Sequence, residues 1–130
     1  MTGAELELRR AIFASFAESG APPEVDDDEA LDALARDHVV VLEATTRRII
    51  MAHPFASAPS GNALVDAHGR SWFGNCAWDG LGIVAALDRM DATVTNNGVS
   101  VRVRGGRVTD DSLFHVAVPA RSWWDDIAYT

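Results

Sequence analysis

The 130-residue chain carries 19 acidic residues against 11 basic ones, and its net charge is −8. Hydrophobic residues make up 48% of the sequence, which is enough for a core and excludes a disordered chain. No apolar run reaches the roughly 20 residues that a transmembrane helix needs. The N-terminus lacks the basic start and apolar centre of a signal peptide, and a single cysteine excludes an internal disulfide framework. The sequence therefore predicts a cytoplasmic globular protein without a membrane partner.

The charge is distributed unevenly. Residues 1–55 carry eleven acids against five arginines, whereas residues 56–130 carry eight against six. The strongly acidic first part would repel a phosphate backbone, so we expect no nucleic-acid partner. All the basic residues are arginines, and the absence of lysine excludes Schiff-base and P-loop lysine chemistry.

The first part of the chain predicts two helices and a hairpin. Apolar residues at helical spacing predict a helix over 4–19 that ends at Gly20, and a second helix over 28–37 follows an acidic run. Two β-rich runs, 39–42 and 48–52, predict a hairpin. We therefore expect residues 1–55 to form a reduced winged-helix-like lobe. The net negative charge of this lobe favours a scaffolding role for the hairpin over a role in DNA binding.

The second part of the chain predicts a sheet and a central helix. In chain order the expected elements are a proline-punctuated connector over 53–61, a hairpin of 63–65 and 71–73, a helix over 76–89 with Asn75 as N-cap, a hairpin of 92–95 and 99–104, a strand over 113–118 and a helix over 120–128. The predicted fold class is α+β. Residues 56–130 would form a small mixed or antiparallel sheet lobe packed around the cysteine-bearing helix.

The strongest functional signal is the pair Cys76 and Asp79. In a helix, residues three apart share one face, so the thiol and the carboxylate would point into the same space. A thiolate is a soft nucleophile and metal ligand, and a carboxyl group can give or take a proton. The helix N-terminus would lower the pKa of the thiol. A free cysteine is also commonly a small buried hydrophobe, and the spacing leaves both interpretations open.

Three histidines are further candidates for ligands or acid–base groups. His68 is expected in a turn. His53 precedes a proline and is more typical of a structural residue. His115 is predicted mid-strand, either in the core or as a pocket wall.

Three segments in order carry a family resemblance. The run WFGNCAWDGLGI resembles the active-site segment of the alkylmercury lyase (organomercurial lyase, MerB-like) family. The run FHVAVPARSWWDDIAYT resembles the C-terminal segment of its short bacterial members, and IIMAHPFASAPS resembles their link between the winged-helix and catalytic lobes. The resemblance implies that residues 56–130 form a catalytic lobe that cleaves carbon–mercury bonds of a substrate.

Carried over residue by residue, the resemblance implies that Cys76 is the metal-binding thiolate and Asp79 the proton donor. The family's second catalytic cysteine has no counterpart among these 130 residues. No cofactor is expected; mercury would be substrate and product, and an external thiol would replace the missing cysteine. The expected lining of the substrate pocket consists of Trp72, Phe73, Asn75, His115 and Trp123.

Three interpretations remain open from the sequence. The leading one is a carbon–mercury lyase with a small organometal substrate. The second is a diverged enzyme that uses Cys76 and Asp79 on a small organic metabolite. The third is a non-catalytic module that binds a soft metal or a small ligand.

Overall fold

The computed structural model describes residues 1–58, 62–89 and 91–127 of the chain. They form an α+β structure in which three α-helices and one 3₁₀ helix accompany an antiparallel sheet. Among these residues no helix combines the length and the apolar composition needed to cross a membrane.

Local capping signals determine where the first two helices begin and end. Helix α1 spans Gly3–Ser19, and the Thr2 hydroxyl and Glu5 form a capping box at its start. Gly20 adopts a left-handed conformation with φ 73°, which ends the helix as predicted. Helix α2 spans Asp28–Arg36, and the Asp27 side chain accepts a hydrogen bond from the backbone N–H of Ala30. The acidic run therefore stabilises the start of α2, as expected from its charge.

The sheet contains eight strands within the described part of the chain. They are β1 (Val41–Leu42), β2 (Ile49–Ala52), β3 (Phe55–Ala56), β4 (Ala63–Ala67), β5 (Arg70–Gly74), β6 (Ala92–Asn96), β7 (Val99–Arg104) and β8 (Arg107–Val108). Their order across the sheet is β1-β2-β3-β5-β4-β6-β7-β8, and every neighbouring pair is antiparallel. The three predicted hairpins are confirmed.

The sheet continues across the boundary predicted between the two lobes. Strand β3 pairs with β2 on one side and with β5 on the other. The hairpin of β1 and β2 is therefore hydrogen-bonded, through β3, into the sheet that carries the second half of the chain. The winged-helix comparison and the division at residue 55 stay predictions.

Helix α3, Ala77–Ala86, packs against the sheet at β4, β5 and β6. Its Ile83 is fully buried in the core cluster with Val65 and Val94 of the sheet. Gly80 faces the sheet where a Cβ would overlap the Cγ1 atom of Val94. The absence of a side chain at Gly80 thus permits the close approach of α3 to the strands.

The C-terminal part of the chain differs from the prediction. Residues 113–118 are not a strand, and Leu113 is 97% exposed. The run does not join the sheet, and its Phe114 instead packs against Trp78 of α3, with 5.6 Å between the ring centroids. The predicted helix over 120–128 is a shorter 3₁₀ helix, Ala120–Asp125, and position 128 lies outside the described residues.

Substitution Gly80→Ala should destabilise the fold by about 1–3 kcal/mol, because the new methyl group overpacks the contact with Val94. The gain in helix propensity, roughly 1 kcal/mol, is too small to reverse the sign. Urea denaturation followed by circular dichroism would measure the change. Gly3→Ala is the matched control, since a Cβ at Gly3 meets no atom within 4 Å. Equal stability of Gly80→Ala and the wild type would contradict the packing argument.

Candidate functional site

The candidate site begins where β5 ends and α3 starts. Cys76 is the N-cap of α3, with extended backbone (φ −142°, ψ 177°), and its carbonyl accepts the N–H of Gly80 at 3.0 Å. This corrects the prediction that Asn75 is the N-cap. Asn75 is instead buried, 6% exposed, and its side-chain amide donates to the carbonyl of Ile127 at 3.0 Å.

The thiol and the carboxylate lie together, as the spacing predicts. The Sγ atom of Cys76 donates to Oδ2 of Asp79 across 3.8 Å, a hydrogen bond of the length expected for sulfur. Cys76 is half-buried, and the Asp79 side chain is 17% exposed. The two groups would therefore need only a small approach to exchange a proton.

Burial raises the pKa of the Cys76 thiol above its ordinary value, and the negative charge of Asp79 acts in the same direction. Backbone N–H groups of Asp79 and Trp78 at the helix N-terminus oppose this shift without reversing it. The helix N-terminus thus acts on the thiol pKa in the predicted direction, but burial and the Asp79 charge outweigh it, and the net shift is upward. At neutral pH the thiol keeps its proton and can donate it.

His53 joins this pair from a distant part of the chain. It lies in the short connection between β2 and β3, and its Nδ1 atom is 3.9 Å from Oδ2 of Asp79. Its Nε2 atom is buried and has no hydrogen-bond partner among the described residues. The sequence favoured a structural role for His53. No local pattern could reveal its position, because 25 residues separate it from Asp79 and the sheet brings the two together.

Two of the predicted pocket residues lie elsewhere. Trp72 is 1% exposed, and its indole N–H donates to the carbonyl of Ala17 in α1 at 3.1 Å. Trp72 therefore belongs to the core under α1. Phe73, on the next position of β5, lines a cavity of about 770 Å³ together with Gly20 and Ile50. None of the residues that line this cavity is Cys76, Asp79 or His53.

Asn75 lies beside Cys76, as described above, and the other two predicted pocket residues, His115 and Trp123, belong to residues 111–127, which we call the C-terminal segment. His115 is exposed, which contradicts its predicted alternative in the core, and its place in a pocket wall stays a prediction. The indole N–H of Trp123 donates to the carbonyl of Val118 at 2.7 Å, within the segment itself. His68 lies in the turn between β4 and β5, as predicted.

The C-terminal segment contacts the site through residues that the sequence did not single out. The Trp124 ring stacks on His38 at 3.9 Å between centroids and meets His53 edge-on at 5.8 Å. Phe114 lies 5.6 Å from Trp78, the residue between Cys76 and Asp79 on the first turn of α3. With the Asn75 hydrogen bond, these contacts hold the segment beside the thiol and the carboxylate.

The described residues contain no group of three or more His, Cys, Asp or Glu side chains arranged to hold a metal ion. Cys76 is therefore the soft-metal ligand that this part of the chain offers. A two-coordinate soft metal bound there would need a second ligand, either an outside thiol or a backbone or side-chain oxygen.

Comparisons with known proteins identify a similar fold and do not test the activity of this chain. No protein-family model matches the chain, and no curated protein matches its sequence. The chain is similar to a solved structure, the mercury-bound form of MerB2, with 21% identity and a TM-score of 0.64. The similarity covers 85% of this chain and 60% of MerB2, so the chain spans only part of the length of that protein. At this identity the match establishes a MerB-like fold.

Substitution Asp79→Asn should lower the pKa of Cys76, because removing the carboxylate charge makes the thiolate less unfavourable. The rate of alkylation by iodoacetamide, measured against pH, should then rise at lower pH than in the wild type. Asp88→Asn removes the same charge at an exposed residue beyond the other end of α3 and should leave the profile unchanged. A wild-type midpoint at or below that of an ordinary thiol would overturn the argument.

Substitution Asn75→Asp should loosen the C-terminal segment, because the buried donor to the Ile127 carbonyl is lost. Loss of such a bond costs about 1–3 kcal/mol, so amides of the 3₁₀ helix should exchange with deuterium at least about fivefold faster. Asn96→Asp is the matched control, because Asn96 also donates a side-chain amide to a carbonyl, that of Asn62, but at an exposed position. Unchanged exchange in Asn75→Asp would show that this bond does not hold the segment.

Proposed function

We propose that this protein cleaves carbon–mercury bonds, with Cys76 as the ligand that captures mercury and Asp79 as the acid that protonates carbon. The observation that carries the proposal is the 3.8 Å hydrogen bond from the thiol to the carboxylate. The MerB-like fold supports it, since the mercury-bound MerB2 shares that fold.

The first step is capture of an organomercurial, R–Hg–X. The protonated thiol points at Asp79, so sulfur can bond to mercury as its proton moves to Oδ2. The mercury–X bond breaks and X leaves with its electron pair. Mercury is a soft metal and prefers thiolate over the oxygen ligands nearby, so the raised thiol pKa does not prevent capture. The products are Cys76–S–Hg–R and a protonated Asp79.

The second step is protonolysis. The carbon–mercury bond breaks with its electron pair staying on carbon, and the Asp79 proton forms the new C–H bond of the hydrocarbon R–H. Mercury(II) remains on Cys76. The proton that releases the hydrocarbon is therefore the one that the thiol gave up in the first step, and no outside acid is needed for a single turnover.

An external thiol completes the cycle. Because the chain has one cysteine, the mercury(II) left on Cys76 lacks a second protein thiolate. A small thiol would supply that ligand and, with a second thiol, carry the metal away while a proton returns to Cys76. This requirement is what distinguishes the proposed cycle from one in which two protein cysteines hold the metal.

Substitutions at the two residues should separate capture from cleavage. Mercury retention is measured after loading with phenylmercury without added thiol, because excess thiol would carry the metal away, and benzene release is measured with excess small thiol. Cys76→Ser should neither retain mercury nor release benzene, because capture requires sulfur. Asp79→Asn should retain phenylmercury but release benzene about 10²- to 10⁴-fold more slowly, because the general acid is lost. Gas chromatography measures benzene, and mercury analysis of the desalted protein measures retention.

The matched control is Asp88→Asn, which should behave as the wild type. Turnover in the wild type should rise with the concentration of added thiol. Mercury retention that is unchanged in Cys76→Ser, or a wild type that releases no benzene at any thiol concentration, would overturn the proposed function.

A further inference from the structure

We propose that His53 is a positioning residue that holds the Asp79 carboxyl group in place for protonation of carbon. The inference rests on the proposed function and adds a third side chain to its site. It is carried by the approach of two side chains to one carboxylate oxygen atom. Oδ2 of Asp79 has the Cys76 thiol at 3.8 Å on one side and Nδ1 of His53 at 3.9 Å on another.

The thiol cannot orient the carboxyl group during cleavage. Once mercury has taken the place of the thiol proton, Cys76 no longer donates a hydrogen bond to Oδ2. Among the described residues, His53 is then the side chain that still lies beside Oδ2 of Asp79. The 3.9 Å separation is longer than a hydrogen bond, and a small rotation of Asp79 or a bridging water closes it, as is common where a catalytic contact tightens only with substrate bound.

Packing restrains both the backbone around His53 and its ring. Strand β2 ends at Ala52 and β3 begins at Phe55, so His53 has a strand on each side of a two-residue connection. Pro54 packs against Gly82 of α3, where an added Cβ would lie 3.2 Å from the Cβ of Pro54. This contact ties the connection to the helix that carries Asp79. Trp124 meets the ring edge-on.

The surroundings of His53 are unusual for a ring retained only for packing. Its Nε2 atom is buried without a partner among the described residues, which costs free energy that an apolar ring would avoid. The other nitrogen faces a carboxylate. We therefore assign the ring proton to Nδ1. An N–H group at that position can orient the Asp79 carboxyl group, in the same way that residues outside the ligand set of a metal site orient the ligands by hydrogen bonding.

The test compares His53→Phe, which keeps a ring against Trp124 but removes both nitrogens, with His53→Asn, which keeps a polar donor. In single turnovers with phenylmercury and no added thiol, His53→Phe should release benzene about 10- to 100-fold more slowly while retaining mercury like the wild type. His53→Asn should recover part of the rate. His68→Phe makes the same change in an exposed turn and should leave both readouts unchanged.

A benzene rate in His53→Phe equal to that of the wild type would overturn the proposal, and so would a parallel loss of mercury retention, which would indicate a structural role. A second readout does not depend on activity. At fixed pH, the ring NMR signals of His53 should shift in Asp79→Asn and not in Asp66→Asn. If the wild type releases no benzene but these signals respond, the proposed function fails and the positioning contact stands; if they do not respond, the positioning role fails.

Discussion

The close approach of helix α3 to the sheet is the constraint on which the candidate site depends. Gly80 lies where a side chain would overlap Val94, and a Cβ on Gly74 would lie 2.9 Å from the Cβ of Asp79. Two absent side chains therefore allow the end of β5 and the first turn of α3 to meet. As a result the thiol of Cys76 is half-buried directly after the strand, and Asp79 is held over the same place. A larger residue at either glycine would move both reacting groups.

The N-terminus of α3 carries two acidic groups, the Cys76 thiol and the Asp79 carboxyl group. The backbone N–H groups there favour an anion, and both a thiolate and a carboxylate could be that anion. Burial and the Asp79 charge keep the thiol protonated. The thiol is therefore protonated beside a carboxylate, and it is not a preformed thiolate nucleophile. In the cycle proposed above, a soft metal that displaces the thiol proton would pass it to Asp79, so that capture would prepare cleavage.

Three stretches of chain far apart in sequence meet around this pair. The connection between β2 and β3 supplies His53, the start of α3 supplies Cys76 and Asp79, and the C-terminal segment supplies Trp124. The C-terminal segment has no strand of its own, so its place depends on side-chain contacts with His38, Trp78 and Asn75. The segment is therefore held beside the site by a few side-chain contacts, and not by strand pairing.

The sequence by itself determined what depends on near neighbours. The capping box at Thr2, the stop at Gly20, the hairpin turn before Gly98 and the pairing of Cys76 with Asp79 all follow from residues within a few positions of one another. The tertiary structure decided what depends on the order of the strands. Placing β3 beside β5 brought His53 to Asp79, the packing of α1 buried Trp72, and the predicted strand over 113–118 instead contacts α3 through Phe114 and Trp78. It also decided the direction of the Cys76 pKa shift, because burial is a property of the whole fold and the helix N-terminus alone predicted the opposite sign.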